Sequence, residues 1–179
     1  MINIEEFTFL SSDGQTRLHA MLWLPEGEIR GILQIAHGVA EHVARYDGFA
    51  RYLCARGIAV AGHDHLGHGK SLPDGATPVY FGAQDGWQHA VDDIHALHQR
   101  LQEEFPNMPL CIMGHSMGSF LTRSYQMCIR DRLEVVLRVA AAVAEHMGDH
   151  LVAGGSLHAH DGGDLRRVLG AGGSAGRCV

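Results

Sequence analysis

The order of apolar segments predicts an α/β fold, a doubly wound and largely parallel sheet with helices on both faces. Three observations predict it. Short, nearly continuous apolar runs at 31–36 (GILQIA), 57–62 (GIAVAG) and 109–113 (PLCIM) have the length of strands buried on both sides. Stripes at helical spacing lie between them. The two kinds of segment alternate along the chain, as crossover helices linking parallel strands require.

Each element has its own warrant. Segments 6–10 and 17–24 flank the turn cluster Ser11-Ser12-Asp13-Gly14 and read as a β-hairpin. In the second of them Leu18, Ala20, Leu22 and Leu24 alternate with His19, Met21 and Trp23, so both faces are fairly apolar. Pro25-Glu26-Gly27 ends the hairpin, and strand 31–36 follows. Tyr46, Phe49, Ala50 and Leu53 fall at i, i+3, i+4 and i+7, with Gly57 where a helix C-terminal glycine belongs. After strand 57–62, Ala90, Ile94, Leu97 and Leu101 make a second stripe, with Asp92, Asp93, Gln99, Arg100 and Glu103 mostly opposite. Pro106 stops that helix. Strand 109–113 leads into a helix-compatible segment, 119–127.

The second part of the chain differs. No aromatic residue and no proline follows Tyr125. Large rings supply much of a core's buried area, so residues 127–179 do not match the first part as one evenly built domain. Segment 133–147 is compatible with a helix. Beyond it Gly154-Gly155, Gly162-Gly163 and Gly172-Gly173 interrupt every element.

The net charge of −6, with a single lysine and scattered arginines, argues against a binder of nucleic acid or anionic membrane, which needs a dense positive surface. No apolar run approaches the roughly 20 residues of a membrane span. The N-terminus carries Glu5 and Glu6 where a signal peptide needs positive charge. Cys54, Cys111, Cys128 and Cys178 lack disulfide or metal spacing and read as free thiols in a reducing compartment. A soluble, cytoplasmic protein is expected; its oligomeric state is not legible.

Gly114-His115-Ser116-Met117-Gly118 is a G-x-S-x-G motif between a strand and a helix, the setting of a nucleophile elbow. Glycines two places either side of Ser116 lack Cβ atoms, so the backbone can turn sharply and lift the hydroxyl clear of the sheet. The helix N-terminus behind it favours developing negative charge. His37-Gly38-Val39 follows strand 31–36. There Gly38 allows a loop that exposes the amide of Val39, while the amide of Met117 supplies a second donor. Two such amides form an oxyanion hole, each worth roughly 2.7–4 kcal/mol in an acyl-transfer transition state. His63-Asp64-His65-Leu66-Gly67-His68-Gly69 holds three histidines within six residues. No zinc spacing fits, so it reads as a hydrogen-bonded loop and no metal is expected. His89, His95 and His98 read as surface or boundary residues.

Residues 7–126 resemble an α/β-hydrolase of the branch that includes monoacylglycerol lipases, lysophospholipases and serine aminopeptidase (S33) hydrolases. Three motifs carry the resemblance: HGVAEHVARY at 37–46, GHDHLGHGKS at 62–71 and GHSMGS at 114–119. It implies that Ser116 is the nucleophile of a cofactor-free ester hydrolase acting on a small ester or lipid. It implies that the amides of Val39 and Met117 bind the oxyanion, and that His37 and the 63–71 loop are structural supports. Relatives with an aspartate nucleophile are disfavoured by Ser116.

The family places its triad acid and histidine on later loops, with a lid between them. The missing strands and lid need on the order of 100 residues. The expectation is therefore an α/β-hydrolase domain that is C-terminally incomplete: residues 1–126, then a glycine- and alanine-rich tail, 127–179, read either as chimeric or frameshifted sequence or as a divergent, shortened C-terminal half. Met127-Cys-Ile-Arg-Asp-Arg132 resembles translated adapter sequence. Asp131, Asp149, His146, His150, His158 and His160 offer formal acid and base positions, and none is carried over. A chain without acid and base would be inert, because an unassisted serine is a weak nucleophile.

Overall fold

The computed structural model describes residues 2–128. Strands β1 (Asn3–Leu10) and β2 (Arg17–Leu24) form the antiparallel hairpin, with Leu10 opposite Arg17. Strand β3 (Gly31–Ala36) is followed by a 3-10 turn (Val43–Tyr46), helix α1 (Asp47–Cys54) and strand β4 (Ile58–His63). A second 3-10 turn (Gly69–Ser71) precedes helix α2 (Gly86–Glu104), strand β5 (Leu110–Gly114) and helix α3 (Met117–Cys128). The predicted helix over 133–147, the glycine-paired segments after it and nearly all of the tail lie outside the described residues.

The sheet runs β1-β2-β4-β3-β5. β3 pairs parallel with both β4 and β5, and the hairpin joins antiparallel through β2 and β4. All three parallel strands therefore end on one edge, where βα loops collect and where α/β folds place their sites. β5 is a sheet edge among the described residues.

The core is two-sided, as the unbroken apolar strands require. On one face α1 packs Ala50 and Leu53 against Trp23, Ile35 and Val60. On the other, α2 sets Leu97 and Leu101 on Ile32, Ala59 and Leu110, while Ile94 meets Leu121 and Tyr125 of α3. Both faces of β2 are covered; Leu18 through Trp23 are buried. Trp23 is wholly buried, and its indole N–H donates to Asp47 Oδ1 at 2.9 Å, pinning the start of α1. Gly57 ends α1 at φ +78°, with its amide on Cys54 O.

Two expectations are corrected. Phe49, expected on the inward stripe of α1, is 39% exposed. Asp93, expected mostly opposite the apolar stripe of α2, is buried. Its carboxylate accepts the Ser11 hydroxyl (2.8 Å) and the Ser12 amide (2.7 Å), which ties the hairpin turn to α2. Burial pushes its pKa up against those bonds. A charged residue on the inner face is tolerated because the turn supplies donors.

Candidate active site

The turn after β5 is built by close approach. The amide of His115 donates to Ala36 O at 3.0 Å, continuing the β5–β3 ladder by one residue. The chain then reverses through Ser116, a non-glycine residue at φ +52°. That left-handed conformation costs roughly 1–3 kcal/mol and persists only where its surroundings enforce it. The enforcement comes from the flanking glycines. A Cβ on Gly114 would collide with the backbone of Gly118, and a Cβ on Gly118 with the carbonyl of Ala36. The elbow is closed by Gly118 N to His115 O and Ser119 N to Ser116 O, both 2.9 Å, and by Ser119 Oγ on Ser116 O at 2.6 Å. Ser116 is exposed, and among the described residues nothing hydrogen-bonds its hydroxyl.

The loop after β3 lies against this elbow. A Cβ on Gly38 would sit 3.2 Å from Ser116 Cβ, 3.2 Å from His115 Nδ1 and 3.0 Å from Glu41 Oε2. The expected reason for that glycine therefore changes: its φ is not positive, and what it supplies is room. Val39 is 43% exposed. Neither the Val39 amide nor the Met117 amide, at the first residue of α3, has an acceptor among the described residues. First-turn helix amides are unpaired by construction, so the Met117 N–H faces outward with the helix dipole behind it.

Glu41 joins loop to elbow. Its Oε2 accepts the Gly38 amide (2.8 Å), the Tyr46 hydroxyl (2.8 Å) and His115 Nδ1–H (2.9 Å). Arg45 Nε lies 3.3 Å from Oε1. Burial alone would raise this carboxyl's pKa, but the donors outweigh it and hold it down at about 2. Burial and the bond to Glu41 raise the Tyr46 phenol in turn.

Behind the loop sits a group of buried imidazoles. His37 and His65 have ring centroids 4.2 Å apart, His63 and His65 4.9 Å, and His37 and His68 5.2 Å. His37 Nε2 accepts the His65 amide at 3.0 Å, so the ring's proton is on Nδ1, which donates to Gly38 O at 2.8 Å. Burial lowers the His37 pKa to about 4 and that of His63 to about 3, and takes His65 well below its ordinary value. Among the described residues, both ring nitrogens of His63 and of His65 are buried without a partner. Asp64 anchors the stretch: Oδ1 accepts the Val43 amide (2.6 Å), and Oδ2 accepts the Lys70 amide (2.9 Å) and His19 Nδ1–H (3.0 Å). The rings pack on one another and on Phe9 and Phe81; among the described residues no three potential ligands are arranged to hold a metal ion.

The structure thus brings together Ser116, Met117 and the Gly38–Val39 loop. Asp131, His146, Asp149, His150, His158 and His160 lie outside the described residues. Sequence reading missed the joining role of Glu41 and His115. Both stand inside motifs, but nothing in their spacing says that residues 74 apart share one carboxylate oxygen. His89, His95 and His98 are half-buried, at the boundary as expected.

A family model described as serine aminopeptidase, S33, matches residues 27–159. The chain is 33% identical over 113 residues to a monoglyceride lipase of Mus musculus, covering 63% of this chain and 35% of that lipase. It is 29% identical over 152 residues to a monoacylglycerol lipase of Mycolicibacterium smegmatis, covering 83% of this chain and 46% of the other. The family match and this alignment both run past residue 126, where the resemblance read from the sequence ends. A thermostable carboxyl esterase from Bacillus coagulans superposes with a TM-score of 0.59 at 30% identity, over 70% of this chain and 40% of the esterase. The chain spans between a third and a half of the length of these curated relatives.

Proposed function

The chain belongs to the serine aminopeptidase S33 family, with the α/β-hydrolase fold, and on that premise we propose that its described residues carry the nucleophile and oxyanion donors of a serine hydrolase. The substrate class we propose is carboxylic esters of the monoacylglycerol or lysophospholipid kind. Lipases of this type stand among its relatives. The observation that carries the reading is Ser116, exposed and at φ +52° on the turn between β5 and α3, against a loop with an unpaired amide.

The reaction follows from those positions. Ser116 Oγ attacks the ester carbonyl carbon and gives its proton to a base. The carbonyl oxygen gains the displaced electron pair, and the amides of Val39 and Met117 stabilise it. Collapse of the adduct expels the alcohol, which takes the proton back, and leaves an acyl-serine. Water, deprotonated by the same base, releases the acid. Each amide contributes roughly 2.7–4 kcal/mol to the transition state. No step calls for a cofactor.

The base is the open component. The free state of Ser116 Oγ among the described residues favours a second reading, a chain that keeps the elbow but is catalytically inert. Loss of a triad base costs about 10⁶-fold in turnover in a serine protease. Labelling by a fluorophosphonate and hydrolysis of a p-nitrophenyl ester, each compared with Ser116→Ala, decide the matter. Serine-dependent labelling and turnover are expected if the base is present. Neither label nor turnover above Ser116→Ala, in a folded chain, supports the inert reading. Labelling or turnover that survives undiminished in Ser116→Ala overturns the nucleophile assignment.

A further inference from the structure

We infer that the sheet edge carrying Ser116 is a docking surface for lipid of no net charge, with Tyr80, Trp87 and Phe120 as the side chains that enter it. The three parallel strands end on that edge, and the connection after each presents exposed apolar side chains there. Val39 stands on the loop after β3. Val79 and Tyr80 (53% exposed) stand on the connection after β4, and Trp87 (43%) on the first turn of α2, where that connection ends. Phe120 (61%) is on the first turn of α3, four residues after Ser116. The opposite edge exposes Glu26, Glu28, Arg30 and Arg56 instead.

Contacts beneath these side chains join them into one strip. His68 Nε2 lies 2.8 Å from Val39 O, and the Phe81 ring packs on His68 at 5.7 Å between centroids. The main chain of Tyr80 is seated on Gly67, where a Cβ would come 2.5 Å from the Tyr80 carbonyl oxygen. Val79 donates its amide to Gly67 O at 2.8 Å and stands at φ +64°, an outlier for a β-branched residue. That double hold on Gly67 fixes the connection with both apolar side chains outward. Gly86 abuts Phe81, and the next residue, Trp87, donates its indole N–H to Ser124 Oγ at 3.2 Å, one turn along α3 from Phe120. Because the protein itself satisfies that N–H, the Trp87 ring can leave water without stranding a donor.

Charge selects the lipid. Within 69–87 and 117–123 the charged side chains are Lys70, Asp74, Asp85 and Arg123, two of each sign. Such a surface gains nothing from anionic headgroups, and the net charge of −6 opposes them. Tryptophan and tyrosine suit the boundary between headgroups and acyl chains, with an apolar ring on one side and a polar tip on the other. Monoacylglycerols and zwitterionic lysophospholipids form aggregates of this uncharged kind, so docking brings Ser116 to the ester class proposed for it. The surface rests on that reading for its purpose, but its binding is measured without any turnover.

The experiment mixes the full chain with phosphatidylcholine vesicles containing monoolein, with brominated acyl chains as quenchers. The chain has two tryptophans and Trp23 is wholly buried, so quenching reads Trp87. We expect the vesicles to quench Trp87 and phosphatidylglycerol vesicles to bind no tighter. Tyr80→Ser and Phe120→Ser should each weaken partition about tenfold or more, as the loss of a buried ring requires. Ser116→Ala should bind like the unaltered chain. Should a variant fail to fold, quenching in the unaltered chain decides. No quenching, or partition that neither substitution weakens, overturns the inference. Dimerisation without lipid that Phe120→Ser abolishes, together with no quenching, assigns the strip to a second copy and overturns it as well. No quenching beside a Ser116-dependent label sinks the docking surface alone; quenching beside a label that survives undiminished in Ser116→Ala sinks the hydrolase reading alone.

Discussion

Acidification should unfold this protein through its buried histidines before its carboxylates titrate. His37 and His63 have folded pKa values of about 4 and about 3, against an ordinary 6.5. Each binds a proton in the unfolded chain and refuses it in the fold. Their contribution is therefore fully present above pH 6.5 and is lost as pH falls toward the folded values. Near pH 5.5 each site differs by almost one proton between the two states, a slope of about 1.2 kcal/mol per pH unit each. By pH 4.5 the loss is about 2.5 kcal/mol per ring, or about 5 kcal/mol for the pair, a large fraction of a typical 5–15 kcal/mol stability. His65 acts in the same direction. Glu41 is also depressed, but its loss begins only below 4.5, so the window from pH 6 to 5 belongs to the histidines. Urea unfolding read by the fluorescence of the buried Trp23 at several pH values measures the slope directly. We expect at least about 2.4 kcal/mol per pH unit in that window, falling by about 1.2 in His63→Leu. A slope below about 1 kcal/mol per pH unit, or stability that rises on acidification, would refute a neutral, desolvated cluster.

Three further outcomes follow from the geometry. Glu41→Gln replaces the charge on which the Gly38 amide, the Tyr46 hydroxyl and His115 converge. It should cost about 2 kcal/mol in urea unfolding at neutral pH, and it should slow fluorophosphonate labelling of Ser116. Gly118→Ala drives a methyl into the carbonyl of Ala36 and should lower stability by 3 kcal/mol or more, seen as a fall in Tm of more than about 8 °C. An unchanged Tm would mean that the elbow is looser than drawn. Asp93→Ala strands the Ser11 hydroxyl and the Ser12 amide and should cost about 2 kcal/mol. Hydrogen exchange should then rise in the 11–16 turn before it rises in α2.

Legibility tracked the range of the interaction. Strand 31–36 appears as β3 over those very residues, because six apolar positions between turn formers leave no other local solution. Helix α2 spreads around Ala90, Ile94, Leu97 and Leu101, all buried, because 3.6-residue periodicity is local. Strand β1 starts three residues before its expected bound. Asn3 and Glu5 carry no apolar signal there and are paired because β2 runs alongside. Asp93 was placed outward for the same reason that its burial escaped notice: its donors come from a turn 81 and 82 residues away.

What the residues determine alone is the sharp turn at Ser116. Glycines at 114 and 118 and an apolar strand before them specify it by sterics, which act over a few bonds. What only the tertiary structure decides is the setting around that hydroxyl. It decides that Gly38 is small because Ser116 and His115 press on it, that one oxygen of Glu41 collects three donors, and that among the described residues the ring nitrogens of His68 face two carbonyls while those of His63 have no hydrogen-bond partner. Those are matters of which groups meet in space and how little water is left between them, and neither is encoded at any single stretch of chain.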